Sequence, residues 1–336
     1  MHMWRTYRWF LVWLGVVYLA WAALVVAGAA WPQVVDRGGI AVAMLFGSFV
    51  AGSTPMGGGT VGFPVLVVVF NGPATLGRDF ALSIQSVGMV SASIFLLARR
   101  QPLAWPVLWP ALGGSCLGTL LGIVAVAPFI DDLVVKLTFS VLWVSFGLMT
   151  LRRLRELEQL TEHPRVASAA QTWLYATTGF VGGIIAAVTG VGIDMLVYAL
   201  LVTLDRCDLK VAIPTSVVLM AGTSLLGVAY KTMLAAAGWP QLGIDPSVYY
   251  YWLAAAPVVA LGAPFGALVV HRIGRLPTLV FVALLCIWQF VWIAWHERLS
   301  LATLVSALAA VGALYLFFNW LHQVGCRQPI PCPETI

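Results

Sequence analysis

Apolar runs long enough to cross a bilayer recur from one end of this chain to the other, and they limit what it can fold into. A transmembrane helix needs about 20 consecutive apolar residues. Inside lipid only helices and closed barrels satisfy their own backbone polar groups. The runs fall at 9–30, 39–70, 80–98, 105–127, 133–151, 172–203, 211–230, 249–270, 277–295 and 299–321. Of the 336 residues only 9% are charged and 61% are apolar, against roughly 25% and 45–50% in soluble domains. A water-soluble enzyme, a disordered chain and a nucleic-acid-binding protein are excluded. The net charge of +5 comes from basic residues spread between the runs. That is the pattern of cytoplasmic loops, not of a basic patch. The fold class expected is an all-α polytopic membrane protein.

Cysteine and histidine offer no cofactor chemistry. Cys116, Cys207 and Cys286 are isolated, Cys326 and Cys332 sit in the tail, and CxxC and HExxH patterns are missing. His2, His163, His271, His296 and His322 fall at termini or in loops. No cofactor or metal is expected. An integral-membrane enzyme would need a nucleophile–base pair or a metal cluster at one depth. The first run follows Arg5 and Arg8 and exceeds a signal-peptide core of about 7–15 residues. It is read as a retained span.

Two runs are too long and too interrupted to be single helices. As one helix, 39–70 would measure about 48 Å against a hydrocarbon core of about 30 Å. Its centre reads Gly52-Ser53-Thr54-Pro55-Met56-Gly57-Gly58-Gly59-Thr60-Val61-Gly62-Phe63-Pro64, which glycine and proline must break. The run 172–203 is interrupted at Gly182-Gly183 and Thr189-Gly190-Val191-Gly192. Shifting the first half by 131 residues lays the two breaks on each other. Phe49, Val50, Gly52, Gly59, Ala81, Val87, Met89 and Ser93 then match Phe180, Val181, Gly183, Gly190, Ala212, Val218, Met220 and Ser224. Transporter folds are commonly built from such repeats.

Loop charge decides how the broken segments cross. If each is a re-entrant hairpin returning to its own side, and the N-terminus is inside, thirteen basic residues lie inside. They are Arg5, Arg8, Arg99, Arg100, Arg152, Arg153, Arg155, Arg165, Arg206, Lys210, Arg272, Arg275 and Arg327. Four lie outside: Arg37, Arg78, Lys231 and Arg298. Single crossings would put eight inside and nine outside, so the positive-inside rule favours hairpins. The expected layout is eight full spans and two re-entrant hairpins in two inverted repeats. Residues 1–38 form an N-terminal span, 39–151 repeat 1 and 152–171 a cytoplasmic linker. Residues 172–298 form repeat 2, and 299–336 the last span and tail. Both termini are expected in the cytoplasm, at a cell inner membrane.

The breaks also indicate the site. Half-helix N-termini at mid-membrane present free N–H groups and a positive dipole end, which suits an anion. The leading contacts are Gly57, Gly58, Gly59, Thr60, Thr189, Gly190 and Gly192. Glycine at Gly58 and Gly59 is expected to leave those groups accessible, since any side chain would fill the space and disfavour positive φ. The bland reading is tight packing, assigned also to Gly114, Gly118, Gly262 and Gly266 at small-xxx-small spacing. On the spans that follow, Gln85, Ser86, Thr215 and Ser216 add polar groups. Serines and threonines there often bond only their own helix, whereas Gln85 needs partners in a dry interior. Asp194 is an acid inside an apolar run, and carries a proton, pairs with a base or caps a helix. Arg78 and Lys210 are gate candidates or members of surface ion pairs. The expected partners are a small anion, protons through Asp194, and the bilayer.

The run Gly57-Gly58-Gly59-Thr60-Val61-Gly62-Phe63-Pro64 resembles the hallmark of the sulfite exporter TauE/SafE family, within the toluene-sulfonate uptake permease group. Ala212-Ile213-Pro214-Thr215-Ser216 is similar to its alanine then Thr-Ser signature. The resemblance spans roughly residues 40–300. The chain departs from an even repeat at Ile84-Gln85, at Asp194-Met195 and in the insert 232–248. The resemblance implies a secondary transporter of sulfur-containing anions: sulfite, sulfonates or sulfoacetate-like acids. An anion channel, or a transporter of another small anion, is the alternative; saturable flux that responds to a proton gradient separates carrier from channel.

Overall fold

The computed structural model describes residues 2–158, 160, 169–273 and 275–327. In chain order the helices are α1 (His2–Ala27), α2 (Trp31–Asp36), α3 (Gly38–Ser53) and α4 (Gly59–Pro64), which a π-helical turn continues over Val65–Val69. Next come α5 (Ala74–Ala98), α6 (Trp105–Leu121), α7 (Asp132–Arg152), α8 (Leu154–Glu158) and α9 (Ala169–Thr189). The remainder are α10 (Ile193–Thr203), α11 (Leu209–Ala236), α12 (Val248–Ile273), α13 (Arg275–His296) and α14 (Leu301–Arg327). Among the described residues there is no strand, and nine helices are long and apolar enough to cross a membrane. Eight are the expected spans. The ninth is α9, the first arm of the second broken segment, whose 21 residues make it longer than its partner arm α10 at 11. Of the linker, residues 159 and 161–168 lie outside the described residues, as do His163 and Cys332.

Both broken segments fold back on themselves. A Cβ at Gly39, at the start of α3, would lie 3.1 Å from the ring of Phe70, just past the end of the second arm. One at Gly47 would lie 3.1 Å from Val61. In the second segment, Gly182 faces Ile193, and Tyr175 near the start of α9 hydrogen-bonds Asp205 just beyond α10. The chain reverses at Thr54, which takes extended backbone before Pro55. It reverses again at Gly190 and Gly192, whose φ values of +84° and +121° only glycine adopts readily.

Glycine decides where the hairpins dock. Any side chain at Gly114 or Gly118 of α6 would collide with the backbone of α9 at Ala176 and Phe180. Any side chain at Gly262 or Gly266 of α12 would collide with α3 at Ser48 and Phe49. The first arm of each hairpin therefore sits backbone to backbone on a span from the other half of the chain. The most buried spans are α5, α7 and α11, whose apolar windows are 78%, 72% and 72% buried; α1 and α14, at 11% and 17%, present their sides to lipid. A column of rings, Phe63 on Phe139 at 4.5 Å and Phe139 on Trp143 at 4.4 Å, fills the core between α4 and α7.

Cross-chain bonds sort the helix ends into two groups. At one end Tyr7 stacks on Phe95, Ala104 N donates to Thr215, and Arg206 lies 3.4 Å from Glu156. At the other, Ala74 N bonds Asp132, Lys136 bridges Asp132 and Glu297 at 2.8 Å each, and Lys231 meets Asp79 at 3.2 Å. Arg99, Arg100, Arg152 and Arg153 fall at the first end, and Arg37, Arg78 and Arg298 at the second. This is the partition that two returning hairpins require.

Candidate functional site

The two hairpin tips meet beside Gln85, near the middle of the 25-residue α5. Gln85 Nε2 donates to Ala81 O and Gly190 O, each at 2.8 Å. That fixes the amide orientation and ties α5 to the second tip. Its Oε1 is left against Gly57, so close that a side chain at Gly57 would collide with it. Asp194 reaches the same place from α10: a Cβ at Gly57 would lie 3.3 Å from its Oδ2. Gly59 abuts Val191 and Ala81. Gly57, Gly58, Gly59, Thr60, Gln85, Thr189, Gly190, Gly192 and Asp194 are thus one buried cluster formed by both halves.

The glycines serve different purposes. Gly190 and Gly192 carry positive φ, but Gly58 has φ −58° and no glycine of the first tip is at positive φ, contrary to expectation. The first tip is an ordinary right-handed helix start, and its glycines admit neighbours rather than unusual backbone. Gly57 admits Gln85 and Gly59 admits Val191. Only Gly58 has room, with Met44 and Ala51 at 3.4 and 3.6 Å from a Cβ placed there. It borders a cavity of about 10 Å³ shared with Gln85, Ser48 and Met89, the size of about one water.

Hydrogen-bond accounting shows what the cluster lacks. Thr60 N donates to Gly57 O, and Val61 N and Gly62 N donate to Gly58 O. The N–H groups of Gly58 and Gly59 have no partner among the described residues. They stand at the N-terminus of α4, where the helix dipole is positive. The N-terminus of α10 is different. Its own Asp194 Oδ1 accepts Gly192 N at 3.2 Å and Met195 N at 3.0 Å, so one carboxylate oxygen already acts as a cap. The other, Oδ2, is unpartnered, as are Gln85 Oε1 and Thr60 Oγ1. Asp194 is fully buried, and no basic side chain among the described residues lies within ion-pair distance of it. An isolated charge in that position costs several kcal/mol.

The other candidates fall elsewhere. Ser86 Oγ donates to Ser83 O at 2.7 Å and lines a separate cavity of about 340 Å³ with Ser83, Asp245 and Trp252. Thr215 is buried in a brace, donating to Val211 O and accepting Ala104 N at 2.9 Å. Ser216 is buried and bonds its own helix at Ile213 O. Arg78 belongs to a buried network in which Asp79 takes its Nε at 3.0 Å, Lys231 at 3.2 Å and Asp245 N at 3.1 Å. Lys210 is exposed, and its backbone N–H is capped by Asp208.

Sequence reasoning missed Gln289. It lies on α13 and is 3% exposed. Its Nε2 donates to Thr60 O at 2.8 Å, and its Oε1 is unpartnered. Cys286, one turn away, meets Met56 of the same tip at 3.7 Å. The signal was the one that singled out Gln85, a lone amide in an apolar span. The fold also gathers Glu156, His322 and Cys326, far apart in sequence, so that their ligand atoms lie within 4.8 Å. Arg206 donates to both Glu156 and Cys326 there, which makes the trio an ion-pair cluster at the helix ends.

No curated protein and no solved structure matches the chain. A family model described as sulfite exporter TauE/SafE matches residues 39–291, from the first arm of the first hairpin to within α13, and so includes both tips and Gln289. With that match over most of its length, the chain belongs to the sulfite exporter TauE/SafE family of membrane transporters.

Proposed function

We propose that the protein moves a small sulfur-containing anion (sulfite, a sulfonate or a sulfoacetate-like acid) across the cytoplasmic membrane by alternating access. The observation that carries the reading is the pair of unpartnered N–H groups at Gly58 and Gly59, on the first hairpin tip where Gly57 and Gly59 meet residues of the second. An oxyanion has several acceptor oxygens and must replace its water, and backbone donors at a helix N-terminus do so without a buried counter-charge. Gly57 and Thr60 complete the first tip. Thr189, Gly190 and Gly192 shape the second, and Gln85 and Ser216 stand on the spans behind them. Ser86 lines an approach, and Thr215 stands behind the site as a brace between α11 and the start of α6. Asp194 is the candidate for proton coupling, and Arg78 and Lys210 are the gate candidates. Residues 39–151 and 172–298 act as the two inverted units, with both termini cytoplasmic on the positive-inside rule.

The cavity at the tips is too small for such an anion, so binding requires the tips to part. A junction closed in this way favours a carrier over an open channel. Uptake by proteoliposomes, screened with sulfite, thiosulfate, taurine, sulfoacetate and phosphate, tests the proposal. Saturable uptake of at least one sulfur anion, with phosphate poorly taken up, is expected. Non-saturating flux of all of them would indicate a channel, and transport of phosphate alone would reassign the substrate.

A further inference from the structure

We propose that the junction of the hairpin tips also holds one monovalent cation, a proton or Na⁺, between Gln85 Oε1 and Asp194 Oδ2, and that this cation crosses with the anion. The pairing with an anion rests on the function proposed above; cation binding does not.

Two acceptor oxygens converge on Gly57 from different halves of the chain; neither has a hydrogen-bond partner within 3.5 Å, and the donor nearest to Asp194 on that side is the Gly57 N–H. Their orientations are fixed by other bonds. Gln85 cannot turn its amino group toward Gly57 without losing both the Ala81 and Gly190 carbonyls. Asp194 cannot rotate without losing the Gly192 and Met195 N–H groups. Both side chains are almost wholly buried, at 1% and 0% exposed. Paired oxygens held this way call for a positively charged or proton-bearing occupant.

Among the described residues no charged side chain supplies one. On α5, Arg78 and Asp79 pair with each other and with Lys231 of α11 at the far end of the bundle. At the near end of α11, Asp208 caps the helix at the exposed Lys210. On α14, His322 pairs with Glu156, while α9 presents Tyr175, bonded to Asp205. A hard monovalent cation takes oxygen ligands, and the two oxygens offered here come from one amide and one carboxylate. The free N–H groups of Gly58 and Gly59 lie on the same tip. An anion bound there would face the Asp194 carboxylate, and a cation between the two removes that repulsion.

The test needs no anion. The full-length purified protein is melted in detergent, in choline buffers, along two arms. One varies pH without Na⁺, and the other varies Na⁺ at fixed alkaline pH. Wild type should gain several degrees in Tm saturably in one arm: as pH falls if the occupant is a proton, as Na⁺ rises if it is sodium. Asp194→Asn and Gln85→Leu should lose that response, or need at least tenfold more cation for half the effect. Comparison with wild type cancels titration of groups elsewhere. If Asp194→Asn does not fold, Gln85→Leu decides in the same way. A wild type that responds in neither arm, or variants that respond like wild type, would overturn the proposal. Because no anion is present, a protein that transports no sulfur compound can still pass, and a sulfur-anion carrier can still fail.

Discussion

At the scale of single residues, the molecule separates glycines that look alike in sequence. Gly190 holds φ +84°, and a Cβ there would also press on Ala81 at 2.6 Å and Arg78 O at 2.7 Å. Backbone strain alone costs about 1–3 kcal/mol, so Gly190→Ala should lower stability by at least that, read as a fall in Tm. Gly58→Ala meets only ordinary contacts, so it should fold within about 1 kcal/mol of wild type. It fills the one open position at the first tip, and its defect should appear in substrate binding. The same scale shows which polar residues were legible. Gln85 and Asp194 stand out because a lone amide or acid in an apolar run must be explained. Gln289 satisfies that criterion equally, but it lies on α13, a span that does not directly follow a hairpin. The positive φ expected at Gly58 and Gly59 was wrong because glycine runs serve close approach as often as unusual backbone, and sequence does not say which.

Among the elements, the hairpins were legible and their docking was not. Glycine and proline between apolar half-segments imply a break, and loop charge implies a return. Neither says that α3 rests on α12 or that α9 rests on α6. Those pairings depend on helices more than 60 residues apart in the chain, although the small-residue spacing of Gly114/Gly118 and Gly262/Gly266 marked the seats. Overpacking a close contact costs about 1–3 kcal/mol. Gly118→Val and Gly266→Val should each lower Tm, whereas Gly113→Ala, which faces open space, should not. The link from the adjacent pair Arg78–Asp79 to Lys231 was equally hidden, since Lys231 lies about 150 residues further along the chain. It explains why α5 starts at Ala74, earlier than the apolar run at Phe80: the pair lets two charges enter the helix buried. Lys231→Met leaves Asp79 with Arg78 and the Asp245 N–H. Breaking a buried pair costs up to about 3–5 kcal/mol, and Asp79→Asn in the same chain should recover part of the loss in Tm.

For the whole molecule, the proposed mechanism has two hairpins entering from opposite faces and closing on one site. Their orientation has its own test. In a cysteine-free background, Gln101→Cys should react with an impermeant maleimide only after the membrane is opened, and Arg298→Cys should react from outside without it. The reverse pattern would invert the proposed topology. The central claim is that the first tip's free N–H groups hold the anion. It is tested most directly by saturable sulfite uptake into proteoliposomes containing wild type, Gly58→Ala or Gly113→Ala, with folding checked by Tm. The account predicts that Gly58→Ala melts near wild type yet raises KM for sulfite at least tenfold, with Gly113→Ala unchanged in both. A folded Gly58→Ala protein that takes up sulfite with wild-type KM would place the anion site elsewhere.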